Sequence, residues 1–214
     1  MRSTIWLILP VVFVLVFGYG NVYAQGNSVL TLSAGYMNPK DAKAGIIAGA
    51  GLGIALDESV DLGLAVDFFH KNYTEETEVS QVNQEGMASQ LYVTEVEYTR
   101  TILPIMLTVN VKIPTSRYFG YFIRGGLGYE FLISKEKNFK ENTEGSRNFK
   151  GMGWKFAGGV FYHVGSRSTL IANVFYNSCE VNRDVKESHQ GLPVKERVDL
   201  SGLGFRVGVS VDLY

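Results

Sequence analysis

The side chains of this chain best suited to moving protons or attacking carbonyls are His70, His163, His189 and Cys179. A hydrolase or acyltransferase site needs a serine activated by histidine, with a carboxylate orienting the imidazole. His70 comes closest, with Asp67 just before it and Ser89 further along. His163 neighbours Ser166 and Ser168 at an expected turn, and His189 neighbours Glu187 and Ser188 in an expected loop, where such geometry is hard to hold. The three histidines are dispersed, with no HExxH and no paired-histidine spacing, so no metal site is expected. One cysteine excludes both an internal disulfide and a Cys-cluster zinc site, and Cys179 reads as an inert thiol. Gly49, Gly51 and Gly53 imitate part of a dinucleotide loop. They alternate along a strand, however, with no helix after them and no Lys-Ser/Thr, so no phosphate cofactor follows. No catalytic residue and no cofactor is expected.

The elements around these residues are more informative. Net charge is −1 and charged residues make up 19%, so neither a basic nucleic-acid surface nor an acidic disordered chain is indicated. Met1-Arg2, the apolar run Ile5 to Phe17, and Val22-Tyr23-Ala24 before Gln25 have the layout of a cleaved secretory signal peptide. The run is too short for a spanning helix, and no cysteine follows the cleavage site to carry a lipid anchor. The expected organisation is a signal peptide over 1–24 and one domain over 25–214.

Beyond Gln25 the pattern has period two, the mark of strands with two different faces. Leu203, Phe205, Val207, Val209, Val211 and Leu213 alternate with Gly204, Arg206, Gly208, Ser210 and Asp212. Val60, Leu62, Leu64, Val66 and Phe68 alternate with Asp61, Gly63, Ala65, Asp67 and Phe69. The same rhythm gives eight strands, at 28–37, 44–56, 60–74, 90–113, 118–134, 149–164, 168–181 and 197–213. Tight turns at 57–59, 114–117 and 165–167 alternate with long polar connections at 75–89, 135–148 and 182–196. Short turns on one side and long loops on the other, over an even strand number, is the plan of an outer-membrane barrel. It places the loops outside the cell and both mature termini in the periplasm. A soluble lipocalin-like barrel would alternate too, but its polar face meets water. Here the polar face is heavy with glycine and bears isolated charges, which suits a narrow interior. Aromatics near the strand ends complete the picture of two interfacial girdles: Tyr118, Phe119, Tyr121, Tyr162 and Tyr214 near the turns, and Tyr36, Phe68, Tyr73, Phe131, Trp154 and Tyr176 toward the loops.

Ile102-Leu103-Pro104-Ile105-Met106-Leu107 with Asn110 and Lys112, the stretch YFIRGGLGYEFL from Tyr121 to Leu132, and the last strand ending in Tyr214 carry a resemblance. The mature chain resembles the small outer-membrane β-barrel (porin-family) proteins of Gram-negative bacteria. It is similar in architecture to the eight-stranded OmpA, OmpX and OmpW barrels. One departure is that Leu213, not Tyr214, holds the register of the apolar face. The fold expected is therefore all-β, an eight-stranded antiparallel up-and-down transmembrane barrel. Its partners would be outer-membrane lipid, lipopolysaccharide and, during insertion, the barrel-assembly machinery, with no nucleic acid.

Eight strands leave an interior that side chains fill. The face assignment points Asp61, Asp67, Glu130 and Asp212 inward with Lys112, Arg124, Lys155 and Arg206, a balance that suggests a salt-bridged plug. Glu75, Glu76, Glu78 and Glu85 form an acidic loop without a compensating base. The readings kept open are a non-enzymatic barrel serving envelope structure or partner binding, a transport barrel for small or hydrophobic solutes, with Pro104 as a candidate break in the strand ladder, and a lipid-modifying enzyme.

Overall fold

A computed structural model describes residues 28–82, 88–138, 143–185 and 194–213, with side chains described outside 75–96, 138, 144, 184–185 and 194–195. The expected signal peptide, Glu85, His189 and Tyr214 lie outside the described residues. The strands are β1 (Ser28–Pro39), β2 (Gly45–Ala55), β3 (Val60–Val82), β4 (Ala88–Pro114), β5 (Phe119–Asn138), β6 (Thr143–His163), β7 (Ser168–Val185), β8 (Val194–Asp199) and β9 (Gly202–Asp212). All pairings are antiparallel between chain neighbours, and β1 against β9 closes the ring. Both β8 and β9 pair with β7 in one register, so they are the two halves of a single stave, and the barrel has eight staves.

The stave is interrupted at Leu200 and Ser201, where the chain between β1 and β2 leans across it. The Lys40 and Asp41 amides donate to the carbonyls of Ser201 and Asp199, at 2.8 and 3.0 Å. Hydrogen bonds from Ser201 hold the Asp199 carboxyl below the ordinary carboxylate range, with help from Lys40 at 3.1 Å. At the opposite end the turns are tight. Asp57 Oδ1 accepts the amides of Ser59 and Val60, each at 2.7 Å, an arrangement that aspartate at a turn supplies locally.

The long polar connections differ from expectation. Pairing continues to Val82↔Ala88 between β3 and β4, to Asn138↔Thr143 between β5 and β6, and to Val185↔Val194 between β7 and β8. Over the described residues they are therefore paired hairpin arms rather than loops. Glu75, Glu76 and Glu78 lie within β3, not in a loop, and a bulge falls at Glu75/Glu76. The Glu, Lys and Asn content of these arms leaves no continuous apolar row to reveal period two, so their sequence reads as loop.

Along the barrel wall, alternation places one row outward and the next inward. Leu32, Ile46, Leu64, Leu107, Leu127, Phe156, Val174 and Val207, one from each stave, are all exposed. Tyr118, Tyr121 and Tyr162 are exposed near the turns, and Tyr36, Phe68, Phe131, Trp154 and Tyr176 toward the arms. Tyr73 is a correction to the girdle: it shares the inward parity of Asp67 and Phe69 and stacks on Tyr98 at 5.1 Å, with Lys43 over its ring.

Large inward side chains face inward glycines. Phe175 is paired with Gly204 and Phe161 with Gly120, and a Cβ on either glycine would collide with the ring opposite. Substituting Gly204→Ala should cost about 1–3 kcal/mol through overpacking. Gly158→Ala, at an outward position with open space, should change stability by less than about 0.5 kcal/mol. Urea unfolding of the refolded barrel measures both; equal effects would show that the lumen has slack.

Candidate functional site: the barrel interior

The inward side chains form layers. Nearest the arms, register links Ile47 to Phe69, Phe69 to Ile102, Ile102 to Leu132 and Leu132 to Phe149. These five, with Met37, Val181 and Leu200, are buried in one apolar cluster that occupies the lumen at this level. The polar-face assignment had placed Ile47 and Phe69 inward, but the sequence reading did not join them into a layer. The signal lies in apolar residues at inward parity on successive staves.

Below it sits an ion-pair layer centred on Asp67. Arg206 Nη1 and Nη2 donate to Asp67 Oδ1 and Oδ2 at 2.7 and 2.8 Å, and Lys155 Nζ donates to Oδ2 at 2.6 Å. One carboxylate on β3 thus ties β6 and β9 across the lumen. The cationic groups also lie over the Phe175 ring, Arg206 at 4.3 Å and Lys155 at 5.4 Å from its centroid. Asp67 fits because residue 49, opposite it on β2, is glycine; a Cβ there would strike the carboxylate oxygen.

Toward the turns, Asp61 accepts from Lys112 Nζ at 3.0–3.1 Å and from Asn110 Nδ2 at 3.0 Å. Thr31 and Ser210 hydroxyls meet at 3.1 Å, and Phe122, Phe161 and Ile171 form a second small apolar cluster. The structure therefore brings Asp61 to Lys112 and Asp67 to Lys155 and Arg206. Among the described residues it gives no ion pair to Arg124, Glu130 or Asp212. The even pairing of four acids with four bases is not realised, because Asp67 takes two cations. Glu130 is fully buried, and among the described residues neither carboxylate oxygen has a hydrogen-bond partner.

The enzymatic candidates are separated. His70 is exposed on the outer face, stacked on Phe68 and bonded through Nδ1 to Thr101 Oγ1 at 3.1 Å, whereas Asp67 faces the lumen. Adjacent parities of one strand point opposite ways, so Asp67 does not orient His70. His163 Nδ1 meets Thr169 Oγ1 at 2.8 Å rather than either serine of the turn. Cys179 is buried against Gly153.

No protein-family model matches the chain, and no curated protein matches it by sequence. Solved structures do. Neisserial surface protein A matches over 88% of this chain and 98% of its own, with a TM-score of 0.54 at 12% identity. The outer membrane protein OprG of Pseudomonas aeruginosa matches over 88% and 97%, with a TM-score of 0.54 at 11% identity. Ail, the attachment invasion locus protein of Yersinia pestis, solved with the heparin analogue sucrose octasulfate, matches over 88% and 99%, with a TM-score of 0.50 at 10% identity. The fold is that of the small outer-membrane β-barrels.

Replacing Asp67 by Asn leaves two lumenal cations without their carboxylate and should destabilise the barrel by about 3–5 kcal/mol. The unfolding midpoint in urea checks this, with Lys40→Ala at the exposed Lys40–Asp199 pair as a control expected within about 1 kcal/mol. Equal shifts in the two variants would remove Asp67 from its central place.

Proposed function

We propose that this chain is an integral outer-membrane protein without enzymatic activity. Its barrel is closed to solutes, and its arms stand outside the cell to bind an external partner or to brace the envelope. The short turns and both mature termini face the periplasm, lipopolysaccharide and phospholipid surround the apolar band, and the barrel-assembly machinery inserts it. The observation that carries this reading is the stacking of the apolar layer on the Asp67 ion-pair layer, beside which, among the described residues, lie interior cavities of about 30 to 50 Å³. Eight-stranded barrels are of a width that side chains can fill. The projecting hairpins are the surface such a barrel offers to partners. In planar bilayers the refolded protein should give no stepwise conductance. Discrete, reproducible current steps from the wild-type chain would sink the closed-barrel reading.

A second reading, transport of small apolar solutes through the wall, has one observation in its favour. The β3–β4 ladder runs to Val66↔Ile105 and resumes only at Phe69↔Ile102, leaving out Asp67 and Phe68 opposite Leu103 and Pro104. Proline has no amide hydrogen to donate to a ladder. Pro104→Thr restores the donor. If solutes cross at this seam, the variant should be more stable and slower to load an apolar dye into liposomes. Unchanged dye entry in a stabilised variant removes the transport reading.

A further inference from the structure

Of the four inward cations Lys112, Arg124, Lys155 and Arg206, Arg124 is the one that the ion-pair layers leave over. It extends inward from β5 and lines each of three interior cavities, of about 50, 30 and 50 Å³. Its guanidinium lies over the Phe122 ring, 5.4 Å from the centroid, and among the described residues it has neither an ion pair nor a hydrogen bond to protein. A guanidinium remains charged under all ordinary conditions and offers five donors. Half-buried in a lumen of low dielectric, it needs either solvation or a counter-charge.

The smallest cavity shows which. Arg124, Lys155, Arg206, Asp67, Thr108 and Asn173 supply its polar wall, three cations against one carboxylate. That carboxylate is already committed, since Lys155 and Arg206 occupy both its oxygens. Arg206 contributes an independent sign of a missing acceptor: its Nε is buried and has no hydrogen-bond partner, although the side chain is only 10% exposed. Of the other buried acids, Asp61 lines the two larger cavities but not this one, and it already accepts from Lys112 and Asn110, while Glu130 lines none of the three. Positive charge is in excess around this space, where Thr108 and Asn173 are the neutral polar groups, and the anion that balances it comes from outside the chain. The space holds roughly two or three water-sized atoms, which suits a monatomic anion with a water beside it rather than a tetrahedral oxyanion.

We propose that the lumen binds a halide ion, chloride under physiological conditions, between the Arg124 guanidinium and the Arg206–Lys155 wall. Water alone would solvate these donors but would leave the charge excess standing. The halide completes the ion-pair layer, so its binding adds to the stability of the closed barrel. The side chains concerned come from β5, β6 and β9, with the Thr108 hydroxyl from β4 and the Asn173 amide from β7, so the ion would join β9 to β5 and β6, with which β9 shares no ladder.

The test is urea unfolding of the detergent-refolded barrel at constant ionic strength, with chloride exchanged for gluconate. Above the dissociation constant, each tenfold rise in chloride should raise the folded-to-unfolded ratio about tenfold. In the Arg124→Gln variant the ratio should be independent of chloride. The proposal is overturned if chloride and gluconate act alike on the wild-type barrel, or if the variant keeps the wild-type chloride dependence. Should the variant not refold, crystals of the wild-type protein soaked in bromide decide the matter. An anomalous peak in contact with the Arg124 guanidinium upholds the site, and water density there without anomalous signal overturns it.

Discussion

Closing an eight-stranded sheet leaves an interior about one layer of side chains wide on each wall, and large inward residues need small partners on the adjoining staves. This constraint explains the glycines better than turn chemistry does. Gly204 and Gly120 make room for Phe175 and Phe161, and Gly49 makes room for the Asp67 carboxylate. Placing an inward side chain at any of them would force the large partner to move.

Because the lumen is narrow, polar groups inside it must largely satisfy one another. Asp67 does so for two cations at once, and in doing so it couples three staves that do not neighbour one another, β3, β6 and β9. Phe175 supports the same two cations through its ring face. The consequence of so economical a hub is that cations outnumber carboxylates around it. A layer in which every acid met one base would have left Arg124 paired, and the neighbouring cavity would then have no preference for an anion.

Much of this was legible in the sequence, because period two is a direct record of which face each residue occupies. The rows Leu203 to Leu213 and Val60 to Phe68 gave their staves, and the inward parity of Asp67, Lys155 and Arg206 was readable from the same rows. Partner choice was not, since which inward acid meets which base depends on strand tilt and register, and neither leaves a mark on a single strand. Tyr73 looked like a girdle residue by its position near a strand end, and only its parity, shared with Asp67 and Phe69, shows that it faces in. Apart from the β4 half, read as strand from residue 90, the arms were hidden for a related reason: their Glu, Lys and Asn residues leave no hydrophobic period to detect.

The interrupted ladder and the ion-pair hub occur at the same place, and each makes the other tolerable. Pro104 cannot donate, so β3 and β4 lack pairing at Asp67 and Phe68, in a wall whose outer face is apolar. A gap in main-chain hydrogen bonds within such a wall is costly where no water reaches it. Asp67 is the β3 residue at that gap, and its side chain holds the strand to β6 and β9 with three short charge-assisted hydrogen bonds, stronger than the neutral ones a ladder supplies. On the other flank the β4–β5 ladder passes through Pro104↔Glu130 without a break. The stave weakened on its β4 side is thus secured through the lumen instead. The wall can carry a local break without losing closure so long as the Asp67 clamp is intact.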